Sequence, residues 1–358
     1  MDLTYDKLSN KYIIGEDVIL TKDDFIEYVR SDMLRNAVSE RDTSLNIREV
    51  EIDETVRINC GANILIYGVP GSGKSYIVKN EYCKNFDYIQ RVVFHPDYSY
   101  GDFVGQILPK INTETKSVSY EYIPGPFTEI LSYAYLNPTK KCILVIEEIN
   151  RGNAPAIFGD VFQLLDRNDN GTSIYPIYNS NVSKFVYGSI KHSVLIPSNL
   201  CIIGTMNTSD QNIFTLDNAF QRRWRMKLVK NDISRANEIA SKNILDTSIS
   251  WGEFNTKINN EIISKNLGFT STEDKRLGVF FISESDLTFF EKNNDDNLPQ
   301  NTFAEKVLKY LWDDAFKFCR AEIFDSKYTT LESLISAFES EIGNRRFKIF
   351  VDGIFDLT

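Results

Sequence analysis

The residues best suited to chemistry follow a short apolar run at Ile64–Tyr67. They are Gly68-Val69-Pro70-Gly71-Ser72-Gly73-Lys74-Ser75, and they match the phosphate-loop pattern G-x-x-x-x-G-K-[ST] at every position. In such a loop the glycines let several backbone N–H groups point at one polyphosphate, and the following helix adds the positive end of its dipole. Lys74 would reach the β- and γ-phosphates, and the Ser75 hydroxyl would hold Mg²⁺. A plain glycine-rich turn is the alternative, but strand, loop, Lys-Ser pair and helix in register favour a nucleoside triphosphate site.

A second chemical stretch is Lys141–Asn150, with the sequence KCILVIEEIN. Its apolar run Cys142–Ile146 is typical of a strand buried on both faces of a parallel sheet, and ligands bind at the carboxyl ends of such strands. Two carboxylates stand at that end, Glu147 and Glu148. We expect Glu147 to help hold Mg²⁺ through water and Glu148 to polarise the attacking water. A solvated strand end with two charges is the competing interpretation.

A later apolar strand, Leu200–Thr205, ends in the polar string Met206-Asn207-Thr208-Ser209-Asp210. The end of this strand is expected at the same sheet edge as the two glutamates. Asn207 is therefore placed to orient the hydrolytic water beside Glu148. Asp210 is a further candidate for contacting the nucleotide.

Two adjacent arginines, Arg222 and Arg223, close the helix predicted after this strand. Arginines at such a position are either solvated, with a favourable interaction with the helix C-terminus, or reach the γ-phosphate of a neighbouring subunit. The spacing alone leaves both interpretations open.

Apolar strands alternate with helical stretches around these residues. A strand is predicted at 90–96, and helices are predicted over Lys74–Tyr82, Phe127–Leu136 and Ala156–Asp166. This alternation indicates an α/β fold with a parallel sheet. Residues 112–126 are predicted to be a loop or hairpin, and residues 167–197 a β-hairpin or insertion.

The chain is predicted to contain three regions. Residues 1–45 form an N-terminal helical extension, residues 46–228 the nucleotide-binding domain, and residues 229–358 a helical lid domain with a C-terminal tail. The extension's helix begins at Thr21-Lys22-Asp23-Asp24, which is either a capping box or the T-K-x-D guanine-reading element of many GTPases. Because that element normally follows the phosphate loop, the capping box is favoured.

Composition restricts the class of protein. The chain has 358 residues, of which 42% are hydrophobic, as expected of a globular protein with more than one domain. Its apolar runs are too short to span a bilayer and its N-terminus lacks a signal-peptide core, so we expect a cytoplasmic protein without membrane contact. Five scattered cysteines indicate buried free thiols, and the presence of only two histidines speaks against a histidine metal site. The net charge of −10 restricts any DNA contact to a local surface.

Several strings occur together and in a fixed order. They are GVPGSGKS, FHPDYSYGDF (94–103), GPF (125–127), EEINRGNAPAIFGD (147–160), GTMNTSD (204–210) and LDNAFQRRW (216–224). With these strings the chain resembles the McrB-type AAA+ NTPases, the motor subunits of modification-dependent restriction systems. The resemblance covers roughly residues 60–225 well and the lid loosely, where YLWDDAFK (310–317) is similar to the family's closing lid helix.

The resemblance implies an α/β/α nucleotide domain with a helical lid, assembled as a hexameric ring with nucleotide at the subunit interfaces. It implies GTP, with ATP as the alternative, as the substrate, Mg²⁺ as the cofactor, an McrC-type nuclease partner, and DNA contact through the complex. It assigns phosphate and metal binding to Lys74 and Ser75. Glu147 and Glu148 would form the Walker B pair, and Asn207 would be the sensor. Arg222 and Arg223 are the candidate trans-acting fingers.

Two departures from the family pattern stand out. The usual Walker B aspartate is Glu147, which places a longer side chain at a water-mediated metal contact. The family's long N-terminal DNA-recognition domain has no counterpart in the short stretch before the phosphate loop. We therefore expect target recognition by a partner or elsewhere, since no Lys/Arg stripe interleaved with aromatic residues replaces that domain.

Three functions remain compatible with these residues. The leading hypothesis is an NTP-driven ring motor for a partner nuclease in a restriction or phage-defence complex. The alternative is a MoxR-like ATPase that remodels protein partners. A non-hydrolysing nucleotide-dependent scaffold is the third, and the presence of both Glu148 and Asn207 disfavours it. No nuclease constellation is visible, so cleavage by this chain alone is not expected.

Overall fold

A computed structural model describes residues 57–111, 113, 116–208, 214–265, 273–289 and 302–355, and the backbone of three short strands near the N-terminus. The chain separates into two compact units, Met1–Glu51 and Ile52–Thr358. In the first unit β1 (Leu3–Asp6), β2 (Lys11–Ile14) and β3 (Val18–Leu20) form an antiparallel sheet. The sequence did not predict this sheet, because strands of three or four residues are too short for a clear alternation of polar and apolar residues. The helix predicted over Lys22–Val38 lies outside the described residues.

The second unit is built on a parallel sheet. The strands of this sheet are β4 (Asn63–Gly68), β5 (Tyr88–Val93), β8 (Cys142–Glu147), β9 (Leu200–Asn207) and β10 (Arg225–Leu228). Between β5 and β8, β6 (Gly105–Ile111) and β7 (Val118–Pro124) form a separate hairpin. The five strands of the parallel sheet pair side by side in the order β10-β4-β9-β8-β5. Because all five run the same way, their carboxyl ends meet at one edge, where Gly68 pairs with Asn207 and Val93 pairs with Glu147. The predicted α/β architecture is confirmed.

Helices cover both faces of this sheet. They are α1 (Lys74–Ile77, continued by a π-helix over Val78–Tyr82), α2 (Tyr100–Phe103), α3 (Pro126–Leu136), α4 (Ala154–Phe158, continued by a 3-10 helix over Gly159–Leu165), α5 (Ser180–Tyr187) and α6 (Asn218–Gln221). Successive residues of β8 point to opposite faces, so Leu144 packs in one apolar cluster and Val145 in another with Ile77 of α1. The central strands are fully buried, which fixes their register and therefore the order of the polar residues at their ends.

The remainder of the second unit is mainly helical. It contains α7 (Asn237–Ala240), α8 (Trp251–Lys265), the π-helices Ala304–Leu308 and Leu311–Ala315, and α9 (Leu331–Ser340). Phe254 of α8 lies at the centre of an aromatic cluster, with ring centroids 5.7 Å from Phe347 and 5.3 Å from Phe355. The apolar C-terminal segment therefore packs onto the lid. Within the described ranges, no helix combines the length and apolar character needed to cross a membrane.

Two local predictions need correction. Residues 167–197 contain a helix, α5, which is flanked by the isolated bridge Ile177↔Val194, and a further bridge joins Arg167 to Ser173. Asn179 caps this helix by accepting from the Val182 amide at 3.1 Å, a signal hidden among many turn-forming residues. The chain after α6 also leaves the helical conformation earlier than predicted, because Arg225 begins β10 beside β4. The segment 112–126, predicted as a loop or hairpin, contains the second strand of a hairpin, β7, whose first strand β6 lies before that range.

Candidate nucleotide-binding site

The phosphate loop joins the carboxyl end of β4 to the first turn of α1. Gly71 and Gly73 have φ angles of 72° and 92°, a left-handed conformation that glycine adopts without a steric penalty. The loop closes through a hydrogen bond from the Ser72 amide to the Val69 carbonyl at 3.2 Å. The helix begins at Lys74, as the sequence predicted. The expected strand, loop and helix are therefore present in register.

Lys74 lies across the loop. Its ammonium donates to the carbonyl oxygens of Gly68 and Val69, both at 3.0 Å, and the residue is only 7% exposed. The buried Ser72 hydroxyl has no hydrogen-bond partner in the part of the chain that the structure describes. A buried polar atom without a partner in a cradle of backbone groups points to an absent ligand. The donor set of one ammonium, one hydroxyl and the loop amides fits a polyphosphate.

Glu148 and Asn207 meet at the carboxyl edge of the sheet. The Asn207 side-chain amide donates to both carboxylate oxygens of Glu148 at 2.8 Å. The backbone around the pair is also tied, because Asn150 donates to the Asn207 carbonyl at 2.8 Å and the Glu148 amide donates to the Thr205 hydroxyl at 3.2 Å. The two residues that the sequence placed at separate strand ends thus form one unit, close to Gly68 through the pairing of β4 with β9.

Glu147 has a different environment from its neighbour. Its carboxylate forms an ion pair with Arg91 of the adjacent strand β5. Ser75 and Arg91 line one shallow cavity of about 660 Å³, so the serine and the Glu147–Arg91 pair lie on the same side of the sheet. Sequence reasoning missed Arg91, although a single arginine within the apolar strand QRVVF was a visible signal.

The two arginines after α6 differ in their surroundings. Arg223 is 10% exposed in its side chain, pairs with Asp166 at 2.7 Å and stacks over the Phe162 ring at 4.1 Å. Arg222 is exposed and forms no side-chain hydrogen bond or ion pair with the described residues. The structure thus gives Arg223 an internal role and leaves Arg222 available. Asp210 lies outside the described residues.

A cavity of about 700 Å³ opens beside the phosphate loop, between β4, the end of β9 and the lid. Gly68, Val69 and Thr208 line its core side, and Asn255, Asn259 and Arg276 line its lid side. The Thr208 hydroxyl is buried and has no hydrogen-bond partner among the described residues. The cavity lies next to the loop and is large enough for part of a nucleotide.

The cysteines do not contribute a nucleophile to this site. Burial raises the pKa of the Cys142 and Cys201 thiols to about 12, so both stay protonated near neutral pH. The expectation of free thiols is confirmed for all five cysteines, and all except the partly exposed Cys60 are buried.

Comparisons with known proteins agree with this geometry. The family model of the AAA domain (dynein-related subfamily) matches residues 63–224, from the start of β4 to the residue after the arginine pair. The chain is 37% identical over 287 residues to component YdiS of the type II restriction enzyme BsuMI from Bacillus subtilis, a match covering 71% of this chain and 79% of that protein. It is 31% identical over 175 residues to the EcoKMcrB subunit of a type IV methyl-directed restriction enzyme from Escherichia coli, a match covering 47% of this chain and 35% of that protein.

The matched segments include the phosphate loop, the glutamate pair and Asn207, the residues that the structure brings to one edge of the sheet. The extensive match to the Bacillus subtilis protein covers more than the nucleotide domain alone. The chain therefore belongs to the family of McrB-type AAA+ NTPases.

Proposed function

We propose that this chain hydrolyses GTP in preference to ATP, assembles as a ring, and drives a partner nuclease in a restriction or phage-defence complex. The observation that supports hydrolysis is the contact between Glu148 and Asn207 at 2.8 Å beside the phosphate loop. A carboxylate held by an amide at that position can accept a proton from an attacking water molecule. A protein that only bound nucleotide would not need this pair.

The residues divide the chemistry among themselves. Lys74 exchanges its two carbonyl acceptors for oxygens of the β- and γ-phosphates, and the loop amides bind the same oxygens. Glu148 takes the proton of the water, and Asn207 keeps both the carboxylate and the water in line with the γ-phosphorus. Mg²⁺, held by Ser75 and through water by Glu147, would neutralise charge on the phosphates. Arg222 is the candidate to reach the γ-phosphate of the neighbouring subunit.

The partner and the substrate follow from the relatives. Both curated relatives are components of restriction enzymes, and one is an McrB subunit. A nuclease subunit of the McrC type is accordingly the proposed partner, and DNA is proposed to be contacted through the complex. The preference for GTP rests on the same relationship, and so does the hexameric ring.

The test is a competition assay. Hydrolysis of labelled GTP is measured against rising ATP, with and without an McrC-type nuclease subunit, and the Lys74→Ala variant gives the background. We expect GTP turnover to be slow for the chain alone, faster with the partner, and resistant to ATP. Because a buried polar group that only guanine satisfies can discriminate by several kcal/mol, ATP should need about a hundredfold excess to compete. Equal competition by ATP would refute the GTP preference and favour a MoxR-like ATPase acting on protein partners.

A further inference from the structure

A segment of the lid, Leu277–Phe281, lies directly against the phosphate loop, and we name it the brace. The Phe280 amide donates a hydrogen bond to the Gly71 carbonyl at 2.8 Å. Gly278 is so close that a β-carbon there would come within 2.2 Å of the Pro70 oxygen and of the Gly71 carbonyl carbon. The lid and the loop therefore meet backbone against backbone, with no room for a side chain between them.

Three asparagines hold the brace by its own backbone. Asn259 accepts from the Leu277 amide at 2.7 Å and donates to the Leu277 carbonyl at 3.0 Å. Asn255 donates to the same carbonyl at 3.1 Å. Asn231, on the segment after β10, donates to it at 2.7 Å and accepts from the Val279 amide at 3.0 Å. One carbonyl thus receives hydrogen bonds from all three side chains.

The side-chain amides of Asn255 and Asn259 are buried in the lid and hold the backbone of the brace. Asn255 and Asn259 are one helical turn apart on α8 and are 3% and 8% exposed. Buried amides are costly unless they are hydrogen-bonded, and apolar residues would pack more simply beside Phe254 and Ile258 of the lid core. Among the described residues, the side-chain hydrogen bonds of Asn255 and Asn259 run to the brace or between the two asparagines.

The brace constrains the part of the loop that has the most freedom. Gly71 is left-handed, and its carbonyl is held by the Phe280 amide. Because the C=O and N–H of one peptide point in opposite directions, anchoring this carbonyl also sets the direction of the Ser72 amide. That amide closes the loop onto Val69. A glycine-rich loop without such an anchor would lose more conformational entropy when it binds phosphate.

We propose that the brace holds the phosphate loop in its anion-binding conformation, and that Asn231, Asn255 and Asn259 are positioning residues for nucleotide binding. This inference rests on the proposed nucleotide-dependent function. The brace would couple the lid to the nucleotide domain, because a nucleotide that orders the loop also stabilises the contact between brace and loop. Loss of this contact would lower nucleotide affinity by the same factor by which nucleotide strengthens the contact.

The experiment compares two variants with matched controls. Gly278→Ala places a methyl group within 2.2 Å of backbone atoms of the loop, so the brace and the loop must move apart. The φ of Gly278 lies outside the left-handed region, so alanine adds no backbone strain of its own. Asn231→Ala removes a part-buried anchor of the brace. The controls are Gly101→Ala, whose β-carbon would meet the Gln106 side chain at 3.3 Å or more, and Asn237→Ala, which changes an exposed asparagine at the start of α7, outside the cavity.

Affinity is measured by calorimetry with GDP and with a non-hydrolysable GTP analogue. We expect both variants to bind about tenfold more weakly than the wild type, because binding would have to order about one additional loop residue. The controls should keep the wild-type affinity and thermal midpoint, whereas the brace variants should lose more affinity than any fall in their thermal midpoint without nucleotide accounts for. Hydrogen exchange adds a readout that a purely structural role would not move, because nucleotide should slow exchange of the Phe280 amide in the wild type and less in the variants.

The outcomes separate this inference from the function on which it rests. A wild-type chain that binds neither nucleotide would refute the proposed function. Wild-type affinity in both brace variants, with nucleotide binding intact, would overturn the brace. Affinity that falls only in step with the thermal midpoint, or equally in the controls, would leave the asparagines a structural role and would also overturn it.

Discussion

Glu148 adopts a backbone conformation that non-glycine residues rarely use. Its φ and ψ are 53° and 47°, which costs about 1 kcal/mol or more and persists only where the surroundings hold it. Here they do, because the Glu148 amide bonds to Thr205 and the side chain bonds to Asn207, both on β9. The left-handed turn directs the carboxylate toward β9, whereas the preceding Glu147 pairs with Arg91 on β5. Two adjacent glutamates thereby face different partners.

This difference leads to a prediction at the residue scale. Glu148→Gln should keep nucleotide affinity and lower turnover by about 10²-fold or more, because it removes the proton acceptor and little else. Glu147→Gln is the matched control, and its main effect should be a higher Mg²⁺ requirement. Single-turnover hydrolysis and a Mg²⁺ titration distinguish the two. If Glu147→Gln abolished turnover and Glu148→Gln did not, the assigned roles would be reversed.

At the scale of elements, the turn after the short helix α6 separates the directions of two consecutive arginines. Asp217 caps the helix by accepting from the Phe220 amide at 2.6 Å. The helix ends at Gln221, so Arg222 and Arg223 lie in the turn that leads to β10. From this turn Arg223 reaches inward to Asp166, whereas Arg222 stays exposed. The turn therefore supplies one internal contact and one exposed guanidinium.

We expect Arg222→Ala to lose hydrolysis without losing nucleotide binding, since its role is proposed to be across a subunit boundary. The test is mixing, because Arg222→Ala and Lys74→Ala subunits together contain interfaces in which both groups are intact. Hydrolysis by the mixture should exceed that of either variant alone. Arg223→Ala should instead lower stability, by about 1–3 kcal/mol for a lost charged hydrogen bond. A mixture no more active than its components would argue for a structural role of Arg222.

A second prediction at this scale concerns the cap of the 3-10 helix Glu284–Leu287. Asp286 is buried, and burial alone would raise the pKa of its carboxyl group. Hydrogen bonds from Lys306 at 2.7 Å and from the Ser283 amide at 2.8 Å outweigh burial and lower this pKa well below its usual range. The folded chain therefore binds fewer protons than the unfolded chain below about pH 4. The contribution of Asp286 to stability should be full above that pH and should be lost as the pH falls.

Urea unfolding from pH 7 to pH 2.5 measures this contribution. Asp286→Asn should cost about 1–3 kcal/mol at pH 7 and should show a weaker decline of stability below pH 4. Asp313→Asn is the control, because its ion pair with Lys309 is exposed and should contribute less than about 1 kcal/mol. Parallel pH profiles for Asp286→Asn and the wild type would contradict the pKa assignment.

At the scale of the whole molecule, the site is divided between two parts of one unit and, in the proposed ring, between two subunits. The core supplies Lys74, Glu148 and Asn207, and the lid supplies the brace. Arg222 is exposed just before β10 begins, at the amino end of the sheet, and therefore lies away from the edge that holds Glu148 and Asn207. Its proposed role is accordingly at a boundary between subunits. A nucleotide at such a boundary adds its binding energy to the assembly.

Assembly should therefore depend on nucleotide. In mass photometry we expect the wild type to shift from single chains toward particles of about six chains when a non-hydrolysable GTP analogue is added. Lys74→Ala should stay dissociated under the same conditions. Glu148→Gln is the control that should still assemble, because it keeps the bound nucleotide. Particles of equal size with and without nucleotide would contradict this coupling.

The local parts of the site could be predicted from the sequence. The phosphate loop is contiguous, so its strand, glycines, Lys74 and helix start are encoded by neighbouring residues. Glu147, Glu148 and Asn207 could be placed at one edge because buried strands are recognisable by their apolarity and parallel strands end together. The resemblance to McrB-type NTPases rested on the same contiguous strings.

Contacts between distant segments could be decided only by the tertiary structure. The pairing of Glu147 with Arg91, the inward turn of Arg223 and the brace on Gly71 each join segments whose mutual position depends on packing and strand register. Residue type and spacing do not predict such a contact, because an exposed arginine and a buried arginine look identical in the sequence. The sequence by itself determined which chemical groups the site contains, and the fold decided which of them face one another.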